Sequence, residues 1–310
     1  SVLGQVQRHR RGGGRIGDQQ WIIADQPVLP LGDQQLVERA VIVDLDVLET
    51  LAVVGLGGLV RESAAHHAPE ALGAVRIDDV GAILATHIHG DHVDGGVTFP
   101  LCRKFDIPLY IHHASFPDLL KRSNKFQDLD RAGLVRRFGD DTFRLRDDLR
   151  ITPFHVQHGN GWNVDIVGRP VGFRISRIEG TTEKVAAHST DLGSVEPHIV
   201  EAMAGAGAVV IESNHDVELE RRSRRPRFLV DWVLGPVGHL SNEQAAGLLA
   251  RSVATSPGAT KHICLAHLSE DCNSPRHALT AARAALDSAG DTTASLCTAG
   301  QRVPSAEMIL

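Results

Sequence analysis

Residues 86–95 read THIHGDHVDG and follow the apolar run VGAILA at 80–85. Three histidines and two aspartates in ten positions are side chains that first-row divalent metals such as zinc, manganese or iron accept in hydrolytic sites. His87 and His89 stand two apart, so on an extended chain both fall on one face and can converge on one ion. Gly90 permits a sharp turn, after which Asp91 and His92 can reach a second ion nearby. One short loop therefore offers ligands to two metals. An isolated HxH reads as a surface turn, whereas the full HxHxDH pattern behind an apolar strand reads as a metal loop.

Two metals need more ligands than one loop supplies, so the rest of the chain must bring them. From about Arg76 onward, short β-rich runs alternate with amphipathic segments: AILAT at 82–86, PLYIHH at 108–113, RITPFHVQH at 150–158 and VGFRISRI at 171–178. KVAAHST at 184–190, AVVIESN at 208–214 and HICLAHLS at 262–269 continue the series. Several of these runs end at or just before a histidine or aspartate. Helices fit between the later ones: Ser241 with Gln244 predicts a capping box, and Ser274 before Pro275 predicts an N-cap with proline at the first helical position. Residues 127–149 read as a charged connection with turns, an exposed hairpin or an excursion between two halves of the fold. Residues 1–75 show no clean period, with GGG at 12–14 and DQQ twice.

The bulk numbers fit this picture without choosing a function. The chain has 310 residues, 42% of them hydrophobic and 4% aromatic, so aliphatic packing must carry the interior. A formal charge of −6 argues against a general polyanion-binding surface but leaves room for a local basic patch. Cys102, Cys264, Cys272 and Cys297 lie far apart without a CxxC spacing and read as reduced thiols of a cytoplasmic protein. The basic start SVLGQVQRHRRGGGR has no apolar run behind it, and no membrane insertion or export is expected. The expectation is one metallo-hydrolase domain over 1–310, with its core at 76–290.

The combination of THIHGDH with ESNHD at 212–216, GHLSNEQAA at 238–246 and LAHLSEDCNSP at 265–275 resembles the metallo-β-lactamase-fold hydrolases, and within them the YycJ-type branch, over about residues 76–286. The resemblance implies an α/β, four-layer αββα fold and an enzyme with two divalent metal ions, zinc or manganese, with iron as a further option. It implies His87, His89 and His158 as ligands of the first metal, with His155 competing for the third place. Asp191 is the implied bridging carboxylate, and Asp91, His92 and His267 the ligands of the second metal. Taken singly, Asp191 would read as a turn or cap residue and His267 as a core histidine. His188 reads as a bracing residue.

The implied activity is a phosphodiesterase, a 5′-exonuclease on single-stranded DNA or RNA, working through a metal-bridging hydroxide. The leaving oxygen needs a proton, and His239 in GHLSN is the candidate donor, with His215 in ESNHD as a second candidate and Asp91 carried as both ligand and catalytic residue. The capped helix after His239 has an N-terminus that attracts anions. Between these histidines runs RRSRRPR, with Arg221, Arg222, Arg224, Arg225 and Arg227 as either a solvated face or a guide for a nucleic-acid backbone. Two rivals stand beside this reading: a thioester or lactone hydrolase on the same scaffold, and a degenerate metal-binding module. The third rests on the first 75 residues, where the family's serine-rich loop is absent; a compensated frameshift or a diverged N-terminal sheet accounts for that departure, and loss of the first strands would leave the metal loop poorly supported.

Overall fold

The computed structural model describes residues 80–90, 92–159, 168–299 and 308, together with the backbone of three short strands before them. Those strands, β1 (Trp21–Ile23), β2 (Val41–Val43) and β3 (Thr50–Val54), extend a sheet that continues through β4 (Val80–Ala85), β5 (Leu109–His112) and β6 (Val135–Phe138) in chain order. Pairing is antiparallel from β1 to β3 and parallel from β3 to β6. The second sheet runs β7 (Phe143–Arg144), β8 (Leu149–His155), β9 (Val171–Glu179), β10 (Thr182–Ser189), β11 (Ala208–Glu212), β12 (His262–Ala266) and β13 (Ser295–Thr298). It is antiparallel up to β10 and parallel beyond it.

Strand alternation sorts side chains into layers. Ala82 and Leu84 of β4, Phe173 and Ile175 of β9, Ala208 and Val210 of β11, and Cys264 and Ala266 of β12 share the core between the sheets. Their strand neighbours face outward. Ile83 and Ala85 pack under α1 (Thr98–Phe105), α2 (Phe116–Arg122) and α3 (Lys125–Arg131), through Leu101, Leu119 and Leu129. On the other side, α4 (Pro197–Met203) precedes α5 (Val217–Arg222) and α6 (Arg227–Val233), which lead from β11 into α7 (Asn242–Thr255) and α8 (Pro275–Ser288). Val209, Ile211, Ile263 and Leu265 pack against Ile199, Leu248, Leu249 and Ala282 of α4, α7 and α8. The result is the expected four-layer αββα fold.

The cap signals hold. Ser241 Oγ accepts from Gln244 N at 3.2 Å while Gln244 Oε1 accepts from Ser241 N at 2.9 Å, and Ser274 Oγ accepts from His277 N at the start of α8. Of the two readings of residues 127–149, the structure matches the excursion between two halves of the fold and not the hairpin, because Val135–Phe138 pairs parallel with β5 and Phe143–Arg144 pairs with β8 in the other sheet. This segment carries the chain from one sheet to the other; Arg136, Arg137 and Arg144 are exposed on its edge strands, and Asp140 and Asp141 lie in the loop between them. The atypical N-terminal part contributes β1, β2 and β3 to the first sheet, beside VGAILA; the rest of 1–75 lies outside the described residues. Among the described residues no helix is long and apolar enough to cross a membrane.

Candidate metal centre

Because β8, β10, β11 and β12 run in one direction, their C-terminal ends open at one edge of the second sheet. The loop after β4 reaches the same edge, where Val171 N donates to Thr86 O at 3.0 Å and ties the two sheets together. Three nitrogens converge there: His87 Nε2 lies 2.9 Å from His89 Nδ1, and His158 Nε2 lies 3.3 Å from the same atom. Asp191 sits beside them, with Oδ1 at 3.4 Å from His158 Nε2 and Oδ2 at 3.2 Å from His92 Nε2. These three imidazoles form one group suited to a metal ion, and Asp191 belongs to two others: His87, His92 and Asp191, which shares His87 with the first, and Asp191, Glu212, His239 and His267.

The ring nitrogens facing away from this focus are engaged. His158 Nδ1 donates to Gly238 O at 3.0 Å, and Thr86 Oγ1 lies 3.2 Å from Nδ1 of both His87 and His92. Such contacts fix ring orientation and leave the opposite nitrogen as a lone-pair donor. Gly238 makes this possible by close approach: a Cβ there would collide with the carbonyl oxygens of Trp232 and Val233 at the end of α6. Asp191 and His267 both hold left-handed backbone, φ 59° and 56°, which costs about 1–2 kcal/mol for a residue with a side chain. Strain of this kind persists where the surrounding structure overrides it, and here it turns both side chains into the cleft.

Glu212 closes the apolar strand run AVVIE and is fully buried. Its Oε1 accepts from His239 Nδ1 at 2.8 Å and from His267 Nδ1 at 2.5 Å, and its Oε2 accepts from the backbone N–H groups of Leu192 and Leu240, each at 2.9 Å. One carboxylate thereby positions two imidazoles and two loops. The sequence reading passed over it, although a lone acid ending a strand of wholly buried residues was the available signal. The other letters of the three later motifs interlock behind it. Ser213 Oγ donates to Asn242 Oδ1 at 2.7 Å, Asn273 Nδ2 donates to Ser213 O at 2.7 Å, and Asn214 Nδ2 donates to His267 O at 2.9 Å.

Burial sets the charge states. Desolvation, then the neighbouring imidazoles, pushes His87 well below the usual range and His89 down to about 3, and burial lowers His158 as well. These rings are neutral at pH 7. Burial alone would raise Asp191 and Glu212, but His267, His92 and His158 outweigh it for Asp191, which is held well below the carboxylate range. His239 and His267 do the same for Glu212, held at about 2.

The structure thus brings His87, His89, His92, His158, Asp191, His239 and His267 to one place, while Asp91 lies outside the described residues. His155 is only half-buried on β8 and belongs to none of these groups; its carbonyl accepts from His198. His188 is buried on β10, and desolvation with the charge of His92 keeps it at about 3. His215 is buried beside Ser241, its Nδ1 without a hydrogen bond among the described residues, and burial lowers it to about 4. The arginine run divides. Arg225 turns inward to Glu220, Ser269 and Asp271, whereas Arg221, Arg222 and Arg227 form exposed pairs with Glu218 and Asp231, and Arg224 is exposed.

A four-layer αββα sandwich with histidines and a shared aspartate at one strand edge defines a metal-dependent hydrolase of the metallo-β-lactamase type, a fold that implies divalent metal ions. The family described as "Beta-lactamase superfamily domain" matches residues 52–257, and the chain belongs to that family. Its relatives include the exodeoxyribonuclease YycJ of Bacillus anthracis, 32% identical over 241 residues covering 74% of this chain and 78% of that protein. The exodeoxyribonuclease WalJ of Streptococcus pneumoniae is 31% identical over 204 residues, 63% of this chain and 66% of that protein. Among solved structures, the metallo-β-lactamase fold protein YhfI from Bacillus subtilis superposes with a TM-score of 0.57 at 14% identity, covering 94% of this chain and all (100%) of that one. Zinc-bound PqqB from Methylobacterium extorquens gives 0.56 at 18% identity, over 86% of this chain and 87% of that one. At such identities these two share the fold with this chain.

Proposed function

We propose that the protein is a dinuclear metal-dependent phosphodiesterase, a cytoplasmic exonuclease acting on single-stranded DNA or RNA. The observation that carries the reading is the pairing of a shared Asp191 with a Glu212-held imidazole, His239, whose Nδ1 is also 3.7 Å from Asp191 Oδ1. The donor set fits metal ions. Asp191 Oδ2 is buried without a hydrogen bond among the described residues, and three neutral imidazole nitrogens crowd one point beside it. In this reading His87, His89 and His158 would hold one ion and Asp91, His92 and His267 the other, with the Asp191 carboxylate available to both. Imidazole-rich sites of this kind suit zinc or manganese, with iron as a further option. When bound, two such cations acidify an attacking water and neutralise charge on a phosphoryl group.

The protein's own residues supply the rest. Glu212, ionised because two imidazoles face it, takes the Nδ1 protons of His239 and His267 as hydrogen bonds and fixes both rings. With Nδ1–H committed to Glu212, His239 in its doubly protonated form presents Nε2–H to the leaving oxygen and returns to the neutral imidazole as the proton passes. His215, buried after the same strand with its Nδ1 unmatched among the described residues, is the second group offered for substrate contact or proton transfer. Nucleic acid as substrate draws on the similarity to YycJ and WalJ, and the cytoplasmic location on the free thiols Cys102, Cys264, Cys272 and Cys297. Metal-loaded protein assayed on 5′-labelled oligonucleotides and on a thioester tests the proposal. Nucleotide release is the expected result; thioester turnover without it would replace this reading with an acyl hydrolase, and absence of bound metal would reduce the chain to a degenerate module.

A further inference from the structure

One aromatic ring stands exposed at the start of α6. Phe228 is 66% exposed, and among the described residues only Leu219, at 37%, joins it as an exposed large apolar side chain. It follows Arg227 on α6, and Trp232 stands four residues further on, so the two side chains leave one helix face about one turn apart, with Cβ atoms roughly 6 Å from each other. Trp232 is half-buried against the centre, its ring 5.9 Å from that of His158 and 5.3 Å from that of His239. Phe228 therefore marks the way out of the site along α6.

The surrounding charge favours an anionic occupant. Arg224 is exposed and Arg227 keeps 73% of its side chain in solvent although it meets Asp231, so both can turn to a phosphate at little cost. Arg225, held by Glu220, Ser269 and Asp271, anchors the segment to the loop after β12 and so fixes where its neighbours stand. In a chain of net charge −6, a ring set among arginines suits a flexible polyanion with flat bases better than an apolar protein surface.

We propose that Phe228 is a stacking platform for a base of single-stranded nucleic acid, with Arg224 and Arg227 holding the flanking phosphates, so that α6 guides the strand past Trp232 to the metal centre. The inference rests on the nuclease reading above. Two measurements test it together: fluorescence polarisation of a labelled oligodeoxythymidine in EDTA, and hydrolysis by the metal-loaded protein of the same oligonucleotide and of bis(4-nitrophenyl) phosphate, a diester without a nucleobase. Phe228→Ala should raise both Kd and KM for the oligonucleotide about tenfold, the order of one lost base–aromatic stack. Phe228→Trp should restore them, and an abasic position that weakens wild-type binding should add nothing to Phe228→Ala. Replacing Arg224 and Arg227 by Ala should flatten the dependence of log Kd on log salt by about 0.7 per lost phosphate contact. If the wild type binds and cleaves the oligonucleotide and Phe228→Ala matches it, this inference fails and the nuclease reading stands. Equal loss on both substrates would make Phe228 a brace for α6 and overturn the inference. A wild type that hydrolyses the small diester but neither binds nor cleaves oligonucleotides overturns both.

Discussion

His87, His89 and His92 come from one turn of chain after β4, whereas Glu212, His239 and His267 are gathered from three chain segments up to 55 positions apart. In the first region local geometry does the positioning: alternation puts two imidazoles on one side, and Thr86 orients the rings of His87 and His92 from behind. In the second, nothing local would bring the groups together, and a buried carboxylate does so by accepting four hydrogen bonds. Local geometry thus suffices to group His87, His89 and His92, whereas His239 and His267 reach their places only once the second sheet is assembled.

The sharpest way to break it is at Asp191, which belongs to both regions. Asp191→Asn should lower kcat by about a thousandfold or more and reduce bound metal, read by hydrolysis of a phosphodiester alongside elemental analysis, because it removes a charge that two sites share. A variant that keeps both would separate the regions altogether. His239→Ala should lower kcat by about a hundredfold to ten-thousandfold, the range for losing a general acid, and leave metal content unchanged. Retained turnover would return His239 to a bracing role. Glu212→Gln should act on both counts, weakening metal affinity about tenfold to a hundredfold through His267 while slowing turnover through His239.

Acid should loosen both regions through the same chemistry. His89 and His188 are held at about 3 and His215 at about 4 by burial, so the folded protein binds fewer protons than the unfolded chain below the ordinary histidine pKa of about 6.5. Their contribution is present in full above that value and is lost as pH falls towards the folded values, by about 1.4 kcal/mol per unit for each such histidine. Thermal melts of metal-free protein should therefore fall steadily between pH 6.5 and 4.5. A flat profile would mean that these rings are not buried and neutral. Among the arginines, Arg225→Ala should cost about 3 kcal/mol by stranding the buried Glu220, while Arg222→Ala, in an exposed pair, should cost well under about 1 kcal/mol. Melting temperatures of the two variants check this, and equal losses would dissolve the distinction.

What could be read from the sequence follows the same division. HIHGDH was legible because its spacing alone groups ligand-type side chains, and the strands of the second sheet were legible because they are short β-rich apolar runs separated by turn and helix signals. His158 over His155 was a matter of three positions, decided in the structure by the chain leaving β8 and turning His158 Nδ1 onto Gly238. Glu212 escaped because a carboxylate inside an apolar run signals nothing until partners 27 and 55 residues away are known to meet it. Arg225 was indistinguishable from its neighbours for a like reason, since its inward turn depends on Glu220 and the loop after β12. The crossing at 127–149 was obscured because its strands are short and lie at sheet edges, where outward charges mask the alternation.

Metal stoichiometry in paired variants tests the central claim most directly. Wild-type protein, stripped with chelator and reloaded with zinc or manganese, should carry about two ions per chain, and the double variant His89→Ala/His158→Ala about one, since the remaining donors around Asp191 still form a group of their own. Fewer than one ion in the wild type, or no change on removing both imidazoles, would contradict the account of a shared two-metal centre.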